Sequence, residues 1–134
     1  MDNVQIAMII SQIGVLKHKF CGSFPADLVP STLPKNSFCI INSDVSSQSG
    51  THWIVLVNKH GKLYFGDSLG QRMSSYKNIL FHPKERVKYI AVGKIQNEQI
   101  CGLYCIYFAY IMFANVSEKH IDDNFILRFF SVFI

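Results

Sequence analysis

Three residues spread through a 134-residue chain have the types needed to activate a thiol. Cys101 stands in Ile100-Cys101-Gly102-Leu103-Tyr104-Cys105-Ile106-Tyr107-Phe108-Ala109-Tyr110, an apolar run that predicts a helix opening on the cysteine. A thiol in that place faces backbone N–H groups without intrahelical partners and the positive end of the helix dipole, and both favour the thiolate. His52 lies at the mouth of a strand-like run, Gly50-Thr51-His52-Trp53-Ile54-Val55-Leu56-Val57. Asp67 follows in Leu63-Tyr64-Phe65-Gly66-Asp67-Ser68-Leu69-Gly70. Cysteine, histidine and acid are the nucleophile, base and orienting group of thiol catalysis, so the chain reads as a cysteine protease built around Cys101.

Each of these residues has a plainer reading when taken alone. Cysteine is among the most buried residue types, and Cys21, Cys39 and Cys105 read as inert core or structural thiols. His18, His60, His82 and His120 read as surface or satisfied groups. His52 shares a strand face with Ile54 and Leu56, so a core role stays open beside the catalytic one, and Asp67 alone would be a turn-capping acid. Cys101 differs from the other thiols in following a polar loop and preceding a glycine. The three residues together, in this order, carry more than any one of them.

The elements that must position them can be read in order. Residues 2–13 have helical spacing of Val4, Ile6, Ala7, Ile9, Ile10 and Ile13, with Gly14 as a C-cap. Residues 17–36 contain Pro25, Pro30 and Pro34 and read as extended and loop-like. Residues 37–42 form a short strand, and 43–50 a loop. Residues 52–58 and 63–65 form a hairpin about Lys59-His60-Gly61-Lys62, which brings His52 and Asp67 within reach without fixing the register. A short helix is expected over 74–81, a strand over 87–92 and a polar loop over 93–99. The helix from Cys101 to about residue 114 is apolar almost all round and must be the buried central helix. An amphipathic helix over 121–130 packs outside it. No repeat or linker breaks the chain, so residues 1–134 read as one α+β domain.

Composition narrows the classes further. A chain 49% hydrophobic and 16% charged suits a compact globule rather than a disordered one. Its apolar runs are interrupted before the ~20 residues a bilayer span needs, so no membrane partner is expected. The first residues lack the basic segment of a signal peptide, which points to an intracellular, reducing setting. There the four cysteines are expected as free thiols, and their spacing suits no metal. The net charge of +4, from 13 basic and 9 acidic residues, is spread along the chain with its densest group at residues 84–88. That reads as a solvated face before it reads as a nucleic-acid patch. A monomer is expected.

The Gly50-Thr51-His52-Trp53 block, then Tyr64 to Gly70, then Gln96 and Cys101-Gly102-Leu103-Tyr104-Cys105, resemble the adenovirus-type cysteine proteases (adenains). That group also includes the ubiquitin-like-protein proteases and the proteases of Maverick/Polinton virus-like transposons. Phe24-Pro25-Ala26-Asp27 and Ile41-Asn42-Ser43-Asp44 bring the chain nearest the transposon branch, and the likeness covers about residues 20–115. The resemblance implies a papain-like fold of adenain type, with a small mixed sheet packed on a central helix bearing the nucleophile. It makes Cys101 that nucleophile, His52 the general base and Asp67 its orienting acid. It makes Gln96 the side-chain donor to the oxyanion, with Gln99 a competitor because the interval to the cysteine is shorter than usual. Trp53 and Gly102 would meet the substrate, with core packing the alternative for Trp53. Gly66, placed between the aromatic pair and the acid, departs from the family's pattern. The implied activity is cleavage at Gly-containing sites in viral or virus-like precursor proteins, in a host nucleus or cytoplasm or inside a virion. No cofactor is implied, although adenoviral relatives are stimulated by DNA and by a peptide. An isopeptidase for ubiquitin-like modifiers and an inactive peptide-binding relative are the rival expectations.

Overall fold

The computed structural model describes residues 1–45, 47, 52–81, 86–90, 92, 93, 95, 97–116 and 121–133, and its centre is a five-stranded mixed sheet in the order β1-β2-β3-β4-β5. The strands are β1 Phe20–Pro25, β2 Ser37–Asn42, β3 Trp53–Lys59, β4 Lys62–Gly66 and β5 Lys88–Tyr89. β2, β3 and β4 run antiparallel to their neighbours in that trio, while β1 lies parallel to β2 and β5 parallel to β4. The helices are α1 Asn3–Ser11, α2 Cys101–Ala114 and α3 Asp123–Phe129. The architecture is therefore α+β.

Side-chain alternation along β2 and β3 sends residues to two cores. Phe38, Ile40, Val55 and Val57 face α2 and meet Leu103, Tyr104 and Phe108, together with Ile6, Ile9 and Ile10 of α1. Cys39, Ile41, Ile54, Leu56 and Phe65 face the other way, onto Met73, Ile79 and Phe81. Both central strands are thus covered on both faces, and every residue of β2 is buried. α2 is apolar round its whole circumference because sheet, α1 and α3 surround it. Tyr107 and Tyr110 meet Phe129 of α3 with ring centroids 4.9 and 5.2 Å apart.

Gly66 gives α2 its seat. It pairs with Val55 across the hairpin and faces α2, where a Cβ would come within 2.5 Å of the Phe108 ring. Gly66 thus has a packing reason: it lets the central helix lie close on β4, one residue before Asp67. The hairpin turn is tight, with His60 at φ 54° and Gly61 at φ 89°, the two left-handed conformations a two-residue turn requires. Asn58 closes it by accepting the Gly61 N–H at 2.9 Å.

The helix over residues 2–13, the strand over 37–42, the hairpin and the helix from Cys101 stand where the pattern puts them. Four local expectations are corrected. Residues 17–36 are not all loop: β1 forms there, and Pro25 is tolerated because it is the last residue of an edge strand. Gly14 does not cap α1; Gln12 does, and Gly14 lacks the left-handed backbone such a cap adopts. The helix expected over 74–81 is a 3-10 turn at Met73–Ser75 followed by irregular chain, since Ser74, Ser75 and Asn78 are weak helix formers and Tyr76 is drawn elsewhere. Of the strand expected over 87–92, the described residues form a strand at Lys88–Tyr89, and the Ile90 N–H extends it with a hydrogen bond to the Phe65 carbonyl at 3.3 Å. Among the described residues no helix is long and apolar enough to cross a membrane.

A pair of substitutions tests the seating of α2. Gly66→Ala forces a methyl into the Phe108 ring and is expected to lower unfolding free energy by about 1–3 kcal/mol. Gly14→Ala meets nothing within 4 Å and should change it little. Urea denaturation read by tryptophan fluorescence compares the two.

Candidate active site

Cys101 is the first residue of α2, and Ile100 before it supplies no side-chain cap. A 3-10 turn over Glu98–Ile100 runs straight into that first turn. Across the sheet end lies the start of β3, where the Trp53 backbone N–H donates to Cys101 Sγ at 3.4 Å. His52, one residue earlier, is 8% exposed, and its Nε2 lies 2.6 Å from Asp67 Oδ1. With Nε2 engaged by the acid, Nδ1 is the ring atom left to act on the thiol. It is buried and has no hydrogen bond of ordinary geometry among the described residues.

Asp67 is 1% exposed, and its carboxylate accepts four hydrogen bonds. Oδ1 takes His52 Nε2 and the Leu69 N–H at 3.1 Å, while Oδ2 takes the Gln71 N–H at 3.0 Å and the Tyr76 hydroxyl at 2.6 Å. Burial raises a carboxyl pKa, but the hydrogen bonds from His52, Tyr76 and Leu69 outweigh it and hold Asp67 below its usual range. Burial likewise opposes an imidazolium. The hydrogen bond to Asp67, the Cys101 thiol and the Asp67 charge overcome that penalty and push His52 up to about 9. An imidazolium held between a carboxylate and a thiol is the arrangement that activates a cysteine nucleophile and later supplies a proton.

Tyr76 is the member of the site that sequence reasoning missed. Its ring stacks on His52 at 6.2 Å between centroids and 25° between planes, and its hydroxyl fixes the far oxygen of Asp67. Burial and the Asp67 charge keep its phenol protonated well above its usual range. The available signal was a tyrosine nine positions after the acid in a stretch with weak helix formers, but nothing in the pattern says that the chain turns back there.

The remaining candidates divide. Trp53 is half-buried on the α2 side, and its Nε1 donates to the Met1 carbonyl at 3.0 Å. Gly102 is buried against α1, where a Cβ would meet Met1 Sδ at 3.1 Å and Ile6 Cδ1 at 3.4 Å. A packing role is what its surroundings give it. Gln96 lies outside the described residues. Gln99, its competitor, is exposed, and its N–H donates to Asn97 Oδ1 at 2.9 Å. The approach to Cys101 is braced by α3, since the Asn97 N–H donates to Asp123 Oδ2 at 2.9 Å. The four cysteines are free thiols. Among the described residues no cluster of His, Cys, Asp or Glu could hold a metal ion. Compared with known protein families and with curated proteins, the chain matches none of either.

The pH dependence of the pair follows from the two shifts. Asp67, depressed in the fold, contributes stability above its unfolded value of 3.8 that is lost as pH falls below it. His52, raised in the fold, contributes stability that is full below 6.5 and lost as pH rises through about 9. The His52 ring is therefore expected to titrate by NMR near pH 9, and Asp67→Asn to bring that titration down sharply. Tyr76→Phe removes one carboxylate partner while keeping the ring, and is expected to lower stability at neutral pH by about 1–3 kcal/mol.

Proposed function

We propose that this chain is a cysteine endopeptidase of the adenovirus type, with a papain-like arrangement of Cys101, His52 and Asp67. The observation that carries the reading is the meeting of three sequence-distant groups at one sheet end. Cys101 at the start of α2 accepts the Trp53 N–H, and the adjacent His52 is held as an imidazolium by a buried, fully hydrogen-bonded Asp67. A single buried His–Asp pair could serve packing alone. A nucleophile placed beside it at a helix N-terminus favours catalysis.

The reaction divides between these groups. The Cys101 thiolate attacks the peptide carbonyl carbon, forming a C–S bond as the carbonyl electron pair moves to oxygen. The backbone N–H of Cys101 at the helix end stabilises that oxyanion, with Gln96 the side-chain donor that the family resemblance assigns. Collapse breaks the C–N bond, and the His52 imidazolium gives its proton to the departing amine. Water then attacks the thioester with neutral His52 taking its proton, and the thiolate leaves. Asp67 holds the ring's orientation throughout, as in other nucleophile–base–acid sites of different chain order. By the same resemblance, the substrates are Gly-containing sites in viral or virus-like structural precursors.

Alkylation and hydrolysis test this directly. At pH 6 a small alkylating agent is expected to modify Cys101 first and to leave Cys39 and Cys105 intact, since burial pushes the Cys39 thiol up to about 12 and Cys105 well above its usual range. His52→Ala should slow the Cys101 reaction and reduce peptide hydrolysis by about 100-fold or more. The rate of hydrolysis should fall as pH passes about 9, where the proton for the leaving amine is lost. A Cys101 that reacts no faster than exposed Cys21, with no Cys101-dependent hydrolysis, overturns the reading.

A further inference from the structure

Two residues of the site are each followed in sequence by a residue that meets Met1. After His52 comes Trp53, whose indole Nε1 donates to the Met1 carbonyl at 3.0 Å. After Cys101 comes Gly102, where a Cβ would lie 3.1 Å from Met1 Sδ. Met1 therefore bridges the start of β3 and the start of α2, the two elements that bring base and thiol together. Trp53 also donates its backbone N–H to Cys101 Sγ at 3.4 Å. Its two N–H groups thus join Met1 at one end to the thiol at the other.

Met1 is itself held. Asp2 and Gln5 form a reciprocal capping box at the head of α1, the Gln5 N–H donating to Asp2 Oδ1 at 2.8 Å and the Asp2 N–H to Gln5 Oε1 at 2.9 Å. That fixes the residue next to Met1. The Met1 thioether comes down on the Gly102 backbone beside Ile6, which is fully buried. An unbranched thioether fills such a gap with little strain, and the missing Cβ of Gly102 is what lets it approach. The side chain is the anchor, and the carbonyl so anchored grips the indole.

We propose that Met1 is a positioning residue for the reaction: its side chain seats it on Gly102 and its carbonyl holds the Trp53 indole, so that the Trp53 backbone N–H stays on the Cys101 sulfur. The proposal rests on the protease reading and adds the head of α1 to the frame of the site. Met1 and Trp53 also border a cleft of about 350 Å³. A wall of a substrate cleft acts on KM, whereas a residue that positions the reacting groups acts on kcat, so kinetics separate the two roles.

Met1→Gly, Met1→Leu and Trp53→Phe, made in the full chain behind a leader removed after purification, test the proposal. Met1→Gly is expected to lower kcat about tenfold with KM changed less than about twofold, because loosening the indole's hydrogen bond lets the thiol's surroundings drift. Cys101 alkylation at pH 6, which needs no substrate, should slow with it. Met1→Leu fills the same gap and should restore both. The chain's single tryptophan reports the contact, and its emission should move to the red in Met1→Gly while far-UV circular dichroism stays that of the folded chain. Trp53→Phe should lower kcat comparably, and the double variant no further than the worse single one, since both break one series of contacts. Met8→Ala, on the exposed side of α1, should alter none of these. Full kcat in folded Met1→Gly or in Trp53→Phe, a loss confined to KM, or losses that add in the double variant overturn the proposal and leave the protease reading standing. The absence of Cys101-dependent hydrolysis by the unsubstituted chain overturns both.

Discussion

A carboxylate taken out of water must recover its solvation from fixed donors, and the segment after β4 is shaped by that requirement at Asp67. Two backbone N–H groups, a phenol and an imidazole converge on its two oxygens. The Leu69 and Gln71 amides can do so only if the chain curls tightly past the strand end, and Tyr76 only if the next residues fold back over the sheet. The irregular path from residue 67 to residue 81 is thus the conformation that solvates one buried charge. Met73, Ile79 and Phe81 then cover the sheet face that this path crosses. Structure and electrostatics are set together: the same donors that make the burial tolerable hold the acid ionised, and the acid in turn holds His52 protonated.

Cys101 reaches this pair through packing. α2 approaches β4 closely because Gly66 leaves room for Phe108, and its first turn arrives beside Trp53 and His52. α1 presses on the same turn at Gly102, and α3 ties down the segment just before it through Asp123 and Asn97. Three separate contacts therefore fix the helix end, and none of them is a residue that would react.

Much of this was legible in the sequence where local pattern and global position agree. α2 could be read to its ends because a run of fourteen residues without a polar face has one stable destination in a chain this size. β2 and the hairpin were legible from β-branched runs and a His-Gly turn, and the hairpin carried the pairing of His52 with Asp67. What failed were the places where a long-range contact overrules a local preference. β1 was hidden by its proline, harmless only because the strand proved to be an edge. Residues 74–81 had helical spacing, but the Tyr76 hydroxyl has its partner nine residues back, and that demand carries no periodic signature. Gly66 looked like a blemish in a motif until the helix that needs it was in view.

The contacts of the site join His52 with Asp67, fifteen positions apart, and Trp53 with Cys101, forty-eight apart, and Cys101 enters on a helix buried by the sheet, α1 and α3. Contacts of such long sequence separation form late, after the entropy of closing the intervening loops has been spent. A partly folded chain can hold the hairpin, and with it His52 and Asp67, while the thiol is still remote. The meeting of Cys101 with that pair is therefore coupled to completion of the fold.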